Sequence, residues 1–354
     1  SYADSPAWSP DGRWLAYVAG PEPAQRRLWV VGVEGGSPRP LTVKGLSIAE
    51  PRWSPDGKWI AGVLDVEEHR RVVLVPFGQG DEMGWMVPIS PAEVDATDPQ
   101  WAPDGNRIAF VLRTGPDSSA IWMATLQHGA ATGLVELVGG DCWNHSPRWS
   151  PCGQALVFVS DRTGWAQLWL LSSGEREPRP VTHGTYEVSD PAWAPDGRRI
   201  AFVRHDAGNA TLRVWVGSGT EAVVGPRYGV VKKPAWVGQG EALAYLYASA
   251  RTPTEIWLTY MTNTSSEESI RLTWSSVGGV ERAPLVEPEC VYYKSRDGLR
   301  IHALLYRPPD TLGPVPAIVF PHGGPTGQHV NGWYPFLQYF VLKGYAILAP
   351  NFRG

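Results

Sequence analysis

Cysteine is scarce. Cys142, Cys152 and Cys290 are the only three in 354 residues, and no two of them form a Cys-x-x-Cys pair. A zinc knuckle and a disulfide framework are thereby excluded, and reduced thiols in the cytoplasm are the expectation. The eight histidines show no His-Glu-x-x-His or comparable ligand spacing, so neither a metal nor a cofactor is expected. Basic charge is equally sparse. The formal net charge is −4, and no basic run is longer than Lys232-Lys233, so the footprint of a nucleic-acid binder is missing. No stretch approaches the ~18 consecutive apolar residues of a membrane span. The opening Ser1-Tyr2-Ala3-Asp4 does not read as a signal peptide, and with no initial Met the chain reads as processed, trimmed or a fragment. A hydrophobic content of 43% supports a substantial core and argues against wholesale disorder.

What is abundant is tryptophan, 18 residues of it, and the positions explain the number. Six segments share one pattern: Pro6-Ala7-Trp8-Ser9-Pro10-Asp11-Gly12, then copies around Trp53, Trp101, Trp149 and Trp193, and a worn copy, Pro234-Ala235-Trp236-Val237-Gly238-Gln239-Gly240. The Trp-to-Trp steps are 45, 48, 48, 44 and 43 residues. A period of ~40–50 residues suits one four-stranded propeller blade. Within each copy, Ser-Pro-Asp-Gly has the chemistry of a hairpin tip, with Pro at a φ near −65° and Gly where φ turns positive. The turn carboxylates Asp11, Asp56, Asp104 and Asp196 are therefore read as structural. A strand follows each turn (Ile108-Ala109-Phe110-Val111, for example). Roughly 21 residues after the first Trp comes a second large residue: Trp29, Leu74, Trp122, Trp169, Trp215 and Trp257. Arg39-Pro40-Leu41-Thr42, Arg179-Pro180-Val181-Thr182 and Arg271-Leu272-Thr273 mark a fourth strand in three copies. One blade cannot bury both faces, so neighbours must stack, and the regularly spaced Trp residues are read as packing anchors. The expected fold is mainly β, a six- or seven-bladed propeller over residues 1–285.

The pattern changes near residue 290. Val291–Ser295 and Leu299–Tyr306 read as a hairpin around Asp297-Gly298. Ala317-Ile318-Val319-Phe320 is a continuous apolar run suited to a strand buried on both faces. It leads into Pro321-His322-Gly323-Gly324-Pro325. Trp333, Phe336, Leu337, Phe340 and Val341 fall on one helical face, with Gly344 at the C-cap. Tyr345–Ala349 then predicts a second buried strand, ended by Pro350. Strand, helix, strand opens an α/β domain, assigned here to 286–354. His-Gly-Gly after a buried strand suits an oxyanion site, because two residues without side chains let backbone N–H groups face a substrate carbonyl. A Gly-Gly after a strand also serves as an ordinary tight loop.

Taken in order, the Trp-Ser-Pro-Asp-Gly repeats, His322-Gly323-Gly324-Pro325 and Asn351-Phe352-Arg353-Gly354 resemble the prolyl oligopeptidase family of serine peptidases, nearest its acylaminoacyl-peptidase and dipeptidyl-aminopeptidase branch. The resemblance runs the length of the chain. It implies a propeller that gates an α/β-hydrolase domain and restricts substrates to short peptides or acyl-peptides. It also implies that Gly324 supplies an oxyanion-hole N–H. His322, Gly323 and Pro325 would then be loop neighbours of the substrate, with His322 no catalytic base, and Arg353 would precede the nucleophile. No Ser in the chain has Gly at both −2 and +2, so the Gly-x-Ser-x-Gly elbow and the Ser, Asp and His of a triad are absent, and these residues alone are expected to be inactive. In the family's strand order Ala317–Phe320 pairs with the nucleophile strand, so it is expected here as an apolar edge. Two alternatives stand beside this: a TolB-like binding propeller with a vestigial tail, and a lipase-type esterase, against which the propeller argues.

Overall fold

The computed structural model describes residues 2–354 except 23–24, 67, 79–84, 218, 220, 263–264, 276–283, 310, 312, 325–326 and 353–354. Internal contacts divide it into two compact units, Ser1–His183 and Gly184–Gly354.

The first unit is four antiparallel four-stranded sheets, each contiguous in sequence. The first runs through Tyr2–Trp8, Trp14–Gly20, Arg27–Gly32 and Arg39–Pro40, and the others repeat this order from Ser47–Trp53, Ala96–Trp101 and Asn144–Trp149. In the second unit two further blades, starting at Glu187–Trp193 and Val230–Val237, are joined by one parallel bridge, Ala210 to Val230. Six blades of a β-propeller are thus present among the described residues. Three fourth strands escaped the sequence reading: Val87–Pro88, Ala130–Val138 and Glu221–Val224.

The turn chemistry is as the repeat demands. Gly12 has φ +69° and its N–H donates to the Ser9 carbonyl at 2.9 Å. Asp11 accepts from the Ser9 hydroxyl at 2.5 Å and the Arg13 N–H at 3.1 Å. Asp56, Asp104 and Asp196 hold their turns in the same way. At Cys152, where the repeat has lost its Asp, the thiol lies 3.4 Å from the Ser150 hydroxyl. Every first strand also bulges just before its Pro. Ser5, Glu50, Asp98, Ser146, Asp190 and Lys233 all have φ near +50°, and the ladder shifts register there.

The Trp residues that open the blades do more than fill space. Indole Nε1–H groups reach back one blade, to the carbonyl of the residue preceding the previous Trp. Trp53 donates to Ala7 at 3.0 Å, Trp101 to Arg52 at 3.1 Å, Trp149 to Gln100 at 3.2 Å and Trp236 to Ala192 at 3.0 Å. A second latch lies within the blade. The hydroxyls of Thr42, Ser90, Thr182 and Thr273 accept the backbone N–H groups of Leu28, Val72, Leu168 and Ile256.

Register corrects one sequence assignment. Trp29, Trp122, Trp169 and Trp257 lie opposite Tyr17, Phe110, Phe158 and Tyr245, but the same position holds Val73 in the second blade and Arg213 in the fifth. Leu74 and Trp215 are one and two residues further on, because cross-strand pairing, not distance from the first Trp, fixes equivalence.

The last sheet has strand order Glu289–Lys294, Arg300–Tyr306, Ala346–Asn351, Ala317–Val319. Its hairpin turns at Gly298, φ +85°. Ala317–Val319 and Ala346–Asn351 are parallel neighbours connected through the helix Pro335–Leu342, a βαβ unit. Pro at the first helical position starts the helix later than Trp333, and Gly344, φ +90°, ends it. Pro350 does not end its strand, which runs on to Asn351. The Leu348 carbonyl accepts the Phe320 N–H at 2.8 Å, and the Phe320 carbonyl, which Pro350 has no N–H to meet, accepts from His329 Nε2 at 2.8 Å instead. Ala317–Val319 is the edge, and Val319 is exposed.

Candidate active site

The His322-Gly323-Gly324 loop leaves the C-terminal end of the edge strand Ala317–Val319, where open parallel α/β sheets gather ligands. Gly323 and Gly324 are both exposed, and a Cβ built on Gly323 meets nothing within 4 Å. The opposite side of the loop is closed. A Cβ on Gly327 would fall 2.5 Å from the Gly323 carbonyl, so the chain doubles back there only because residue 327 has no side chain. Pro325, Arg353 and Gly354 lie outside the described residues.

His322 is committed to this loop. Its Nδ1 lies 2.8 Å from the Gly323 carbonyl, which fixes that nitrogen as the donor. The ring stacks flat on Phe352, with centroids 4.0 Å apart and planes 4° from parallel.

Beneath the loop is a polar knot that sequence reasoning missed. His329, buried, donates from Nε2 to the Phe320 carbonyl at 2.8 Å, at the root of the glycine loop. Its backbone N–H donates to Asn351 Oδ1 at 2.6 Å. Asn351 Nδ2 in turn donates to the His329 carbonyl at 3.0 Å and to His302 Nδ1 at 2.9 Å. One amide thus ties the strands Arg300–Tyr306 and Ala346–Asn351 to the segment behind the loop. The acceptor role of His302 Nδ1 requires a neutral ring. Burial holds both His302 and His329 below the usual imidazole range, and nearby His322 adds to the effect on His329.

Two blade hairpins of the same unit support this segment. The Asn331 N–H donates to the Gly208 carbonyl at 2.6 Å, and Asn331 Nδ2 reaches Asn209 Oδ1 at 3.3 Å. Gln338 is 1% exposed yet fully used. Its Oε1 accepts the Val286 N–H at 3.1 Å, and its Nε2 donates to the carbonyls of Ala250 at 2.9 Å and Val286 at 2.8 Å. A buried amide with every group paired fixes orientation. Of the residues singled out in the sequence, His322, Gly323 and Gly324 come together. His302, His329, Asn331 and Gln338 join from positions that no local pattern marks. The described residues hold no cluster of three or more His, Cys, Asp or Glu suited to a metal, and no helix among them is long and apolar enough to cross a membrane.

A TolB β-propeller domain model matches residues 84–214, and a lipoprotein LpqB β-propeller domain model matches residues 1–134. Acylamino-acid-releasing enzyme of Homo sapiens is 27% identical over 178 residues, 46% of this chain and 23% of the relative. Dipeptidyl aminopeptidase BIII of Pseudoxanthomonas mexicana is 29% identical over 116 residues, 30% of this chain and 16% of its own. A puromycin-hydrolyzing peptidase of Mycobacterium tuberculosis superposes with a TM-score of 0.80 at 21% identity, over 95% of this chain and 56% of its own, a likeness of fold. The chain therefore spans little more than half of that peptidase, and the matched segments cover less than a quarter of the two curated relatives. With its TolB-like propeller, this chain has as its homologues peptidases of the prolyl oligopeptidase family.

Proposed function

We propose that the chain is the propeller and the opening α/β-hydrolase segment of a serine peptidase that cleaves short peptides or acyl-peptides. Residues 1–285 gate access and 286–354 begin the catalytic domain. The observation that carries this reading is the glycine loop at the carboxyl end of a parallel βαβ strand, with Asn351 and His329 fixing its root. In this reading the Gly324 N–H stabilises the oxyanion formed when the substrate carbonyl is attacked, while His322, Gly323 and Pro325 border the substrate. The three cysteines are free thiols, which agrees with a reducing compartment.

No serine of these 354 residues has the elbow sequence, so the purified chain is expected to leave an aminoacyl anilide intact and to take up no serine-directed phosphonate. The protein read on through an elbow is expected to hydrolyse the anilide in a phosphonate-sensitive way. In that protein Gly324→Pro, which deletes the N–H, should lower kcat by ~10²–10³ with KM little changed. A variant with full kcat would remove Gly324 from the oxyanion site. The TolB-like propeller match over 84–214 favours a second reading, a binding module. Under it the extended protein binds peptide but never reacts with phosphonate.

A further inference from the structure

Each first strand of the first unit has a bulge residue before its Pro and, two positions on, the residue that precedes its Trp. In blades 1 to 4 these pairs are Ser5 and Ala7, Glu50 and Arg52, Asp98 and Gln100, and Ser146 and Arg148. Bulge acids serve the blade that follows. Glu50 Oε2 accepts the Asp98 N–H at 2.8 Å, and in the second unit Asp190 Oδ2 accepts the Lys233 N–H at 3.2 Å. Asp98 completes an ion pair instead. Arg148 Nη1 lies 3.2 and 3.3 Å from its two carboxylate oxygens, and Gln100 Nε2 donates to it at 2.7 Å.

Arg52 is the blade 2 copy of Arg148. Both donate Nη1 to the carbonyl of the preceding proline, Pro51 at 3.0 Å and Pro147 at 2.7 Å. The indole latches fix what faces each of them: Trp149 bonds to Gln100, two residues beyond Asp98, and Trp53 bonds to Ala7, two residues beyond Ser5. Where Arg148 meets a carboxylate, Arg52 therefore meets a serine. Arg52 makes no ion pair and no hydrogen bond besides that to Pro51 among the described residues. Its side chain is half-buried, and burial lowers the guanidinium from its ordinary range. Such a cation, with a fork of N–H donors left over, matches a carboxylate. We propose that Arg52 and the Glu50 N–H bind the carboxylate of a small organic acid or of a short peptide's C-terminus, in the position that Asp98 holds against Arg148. Ser5 leaves that position open because it supplies a hydroxyl where the later copy supplies the anion. The site is independent of peptidase activity.

Calorimetric titration of the 354-residue chain with sodium acetate, tri-alanine and tri-alanine amide, beside sodium chloride at equal ionic strength, tests this. Acetate and tri-alanine should bind saturably, and the amide and chloride should not. Tighter binding of tri-alanine than of acetate assigns the site to a peptide end, and equal binding assigns it to small acids. Arg52→Gln should weaken both by ~10-fold or more, the loss expected for a charged hydrogen-bonded pair. Ser5→Asp restores the carboxylate of the repeat. Residue 5 has φ +52° and Asp98 +48°, so the bulge accepts Asp. This variant should also lose binding, while its thermal midpoint rises, and it decides alone should Arg52→Gln fold poorly. No saturable binding of either acid, binding of the amide or chloride as tight as that of the acids, or full binding by Ser5→Asp would each overturn the proposal.

Discussion

Trp8 and Trp53 are the same residue of the repeat, and a sequence-based account predicts the same cost for replacing either by Phe. The structure predicts otherwise. Trp53 is 8% exposed, packs edge-on against Phe77 at 4.7 Å and donates its indole N–H to the Ala7 carbonyl at 3.0 Å. Phe keeps the ring contact but leaves that carbonyl without its donor, a loss of ~1–3 kcal/mol. Deleting the indole's second ring in a packed site adds ~1 kcal/mol for the void. Trp53→Phe should therefore destabilise the first unit by about 2–4 kcal/mol. Trp8 is 61% exposed with no acceptor among the described residues, so Trp8→Phe should stay within ~0.5 kcal/mol. Urea unfolding of the 354-residue chain followed by far-ultraviolet circular dichroism, which does not rely on the mutated fluorophore, measures both. Equal shifts would show that the indole latch contributes nothing and that the Trp residues act by bulk alone.

The hydroxyl latch makes a parallel case. Thr42, fully buried, accepts the Leu28 N–H at 3.0 Å, so Thr42→Val should cost ~1–3 kcal/mol by the same denaturation and Thr42→Ser clearly less. Acid should act first on the site knot. His302 and His329 are held by burial below their ordinary 6.5, so the unfolded chain takes up protons first and stability falls as pH drops below 6.5. Hydrogen exchange of the 320–331 amides should rise at pH 5.5 relative to 7.5. At lower pH the sixth blade follows. Burial raises the Glu255 carboxyl, but the Thr273 hydroxyl, the Ser275 N–H and Arg271 together outweigh it and hold the group at about 2 against an ordinary 4.5. Its contribution is complete above pH 4.5 and is lost from there toward 2, a slope in thermal midpoint that Glu255→Gln should abolish. Gly208→Val places a side chain at φ +75° with its Cβ 3.1 Å from His302 Cε1. Limited proteolysis should then open residues 286–354 of that variant while the blades resist.

Much of the blade architecture was legible because it is periodic. The period, the hairpin tips and the second strands follow from local chemistry repeated six times, and the structure returns all six copies. The fourth strands that escaped are those without the Arg-Pro that marked Arg39–Pro40 and Arg179–Pro180: Val87–Pro88 is two residues long, too short to show alternation, and neither Ala130–Val138 nor Glu221–Val224 carries the dipeptide. A better signal was present in Leu41-Thr42, Ile89-Ser90, Val181-Thr182 and Leu272-Thr273: an apolar residue, buried in the first three, followed by the hydroxyl that latches. The pairing of Trp with the blade behind it was invisible for another reason. An indole N–H seeking a carbonyl 44–49 residues away leaves no trace in local pattern.

The site divides along the same line. The His-Gly-Gly loop could be read because loop chemistry is local, whereas the groups fixing it come from 22 and 49 residues apart along the chain. Yet the repeat hints at where those groups gather. The fifth and sixth blades join their second and third strands by two-residue turns, Ala207-Gly208 and Ala250-Arg251, as does the second, where Val66 pairs with His69, while the third and fourth use five- and six-residue loops. A tight hairpin brings a backbone carbonyl to the tip of the ladder, with too little chain to fold over and cover it. Gly208 and Ala250 present such carbonyls, and Asn331 and Gln338 use them. The fifth blade is also where Trp215 slips two residues from its expected partner. Short turns are not peculiar to blades 5 and 6, but in these two blades the turn carbonyls are taken up by Asn331 and Gln338. The hairpin geometry of the repeat thus supplies part of the surface on which the candidate site is built.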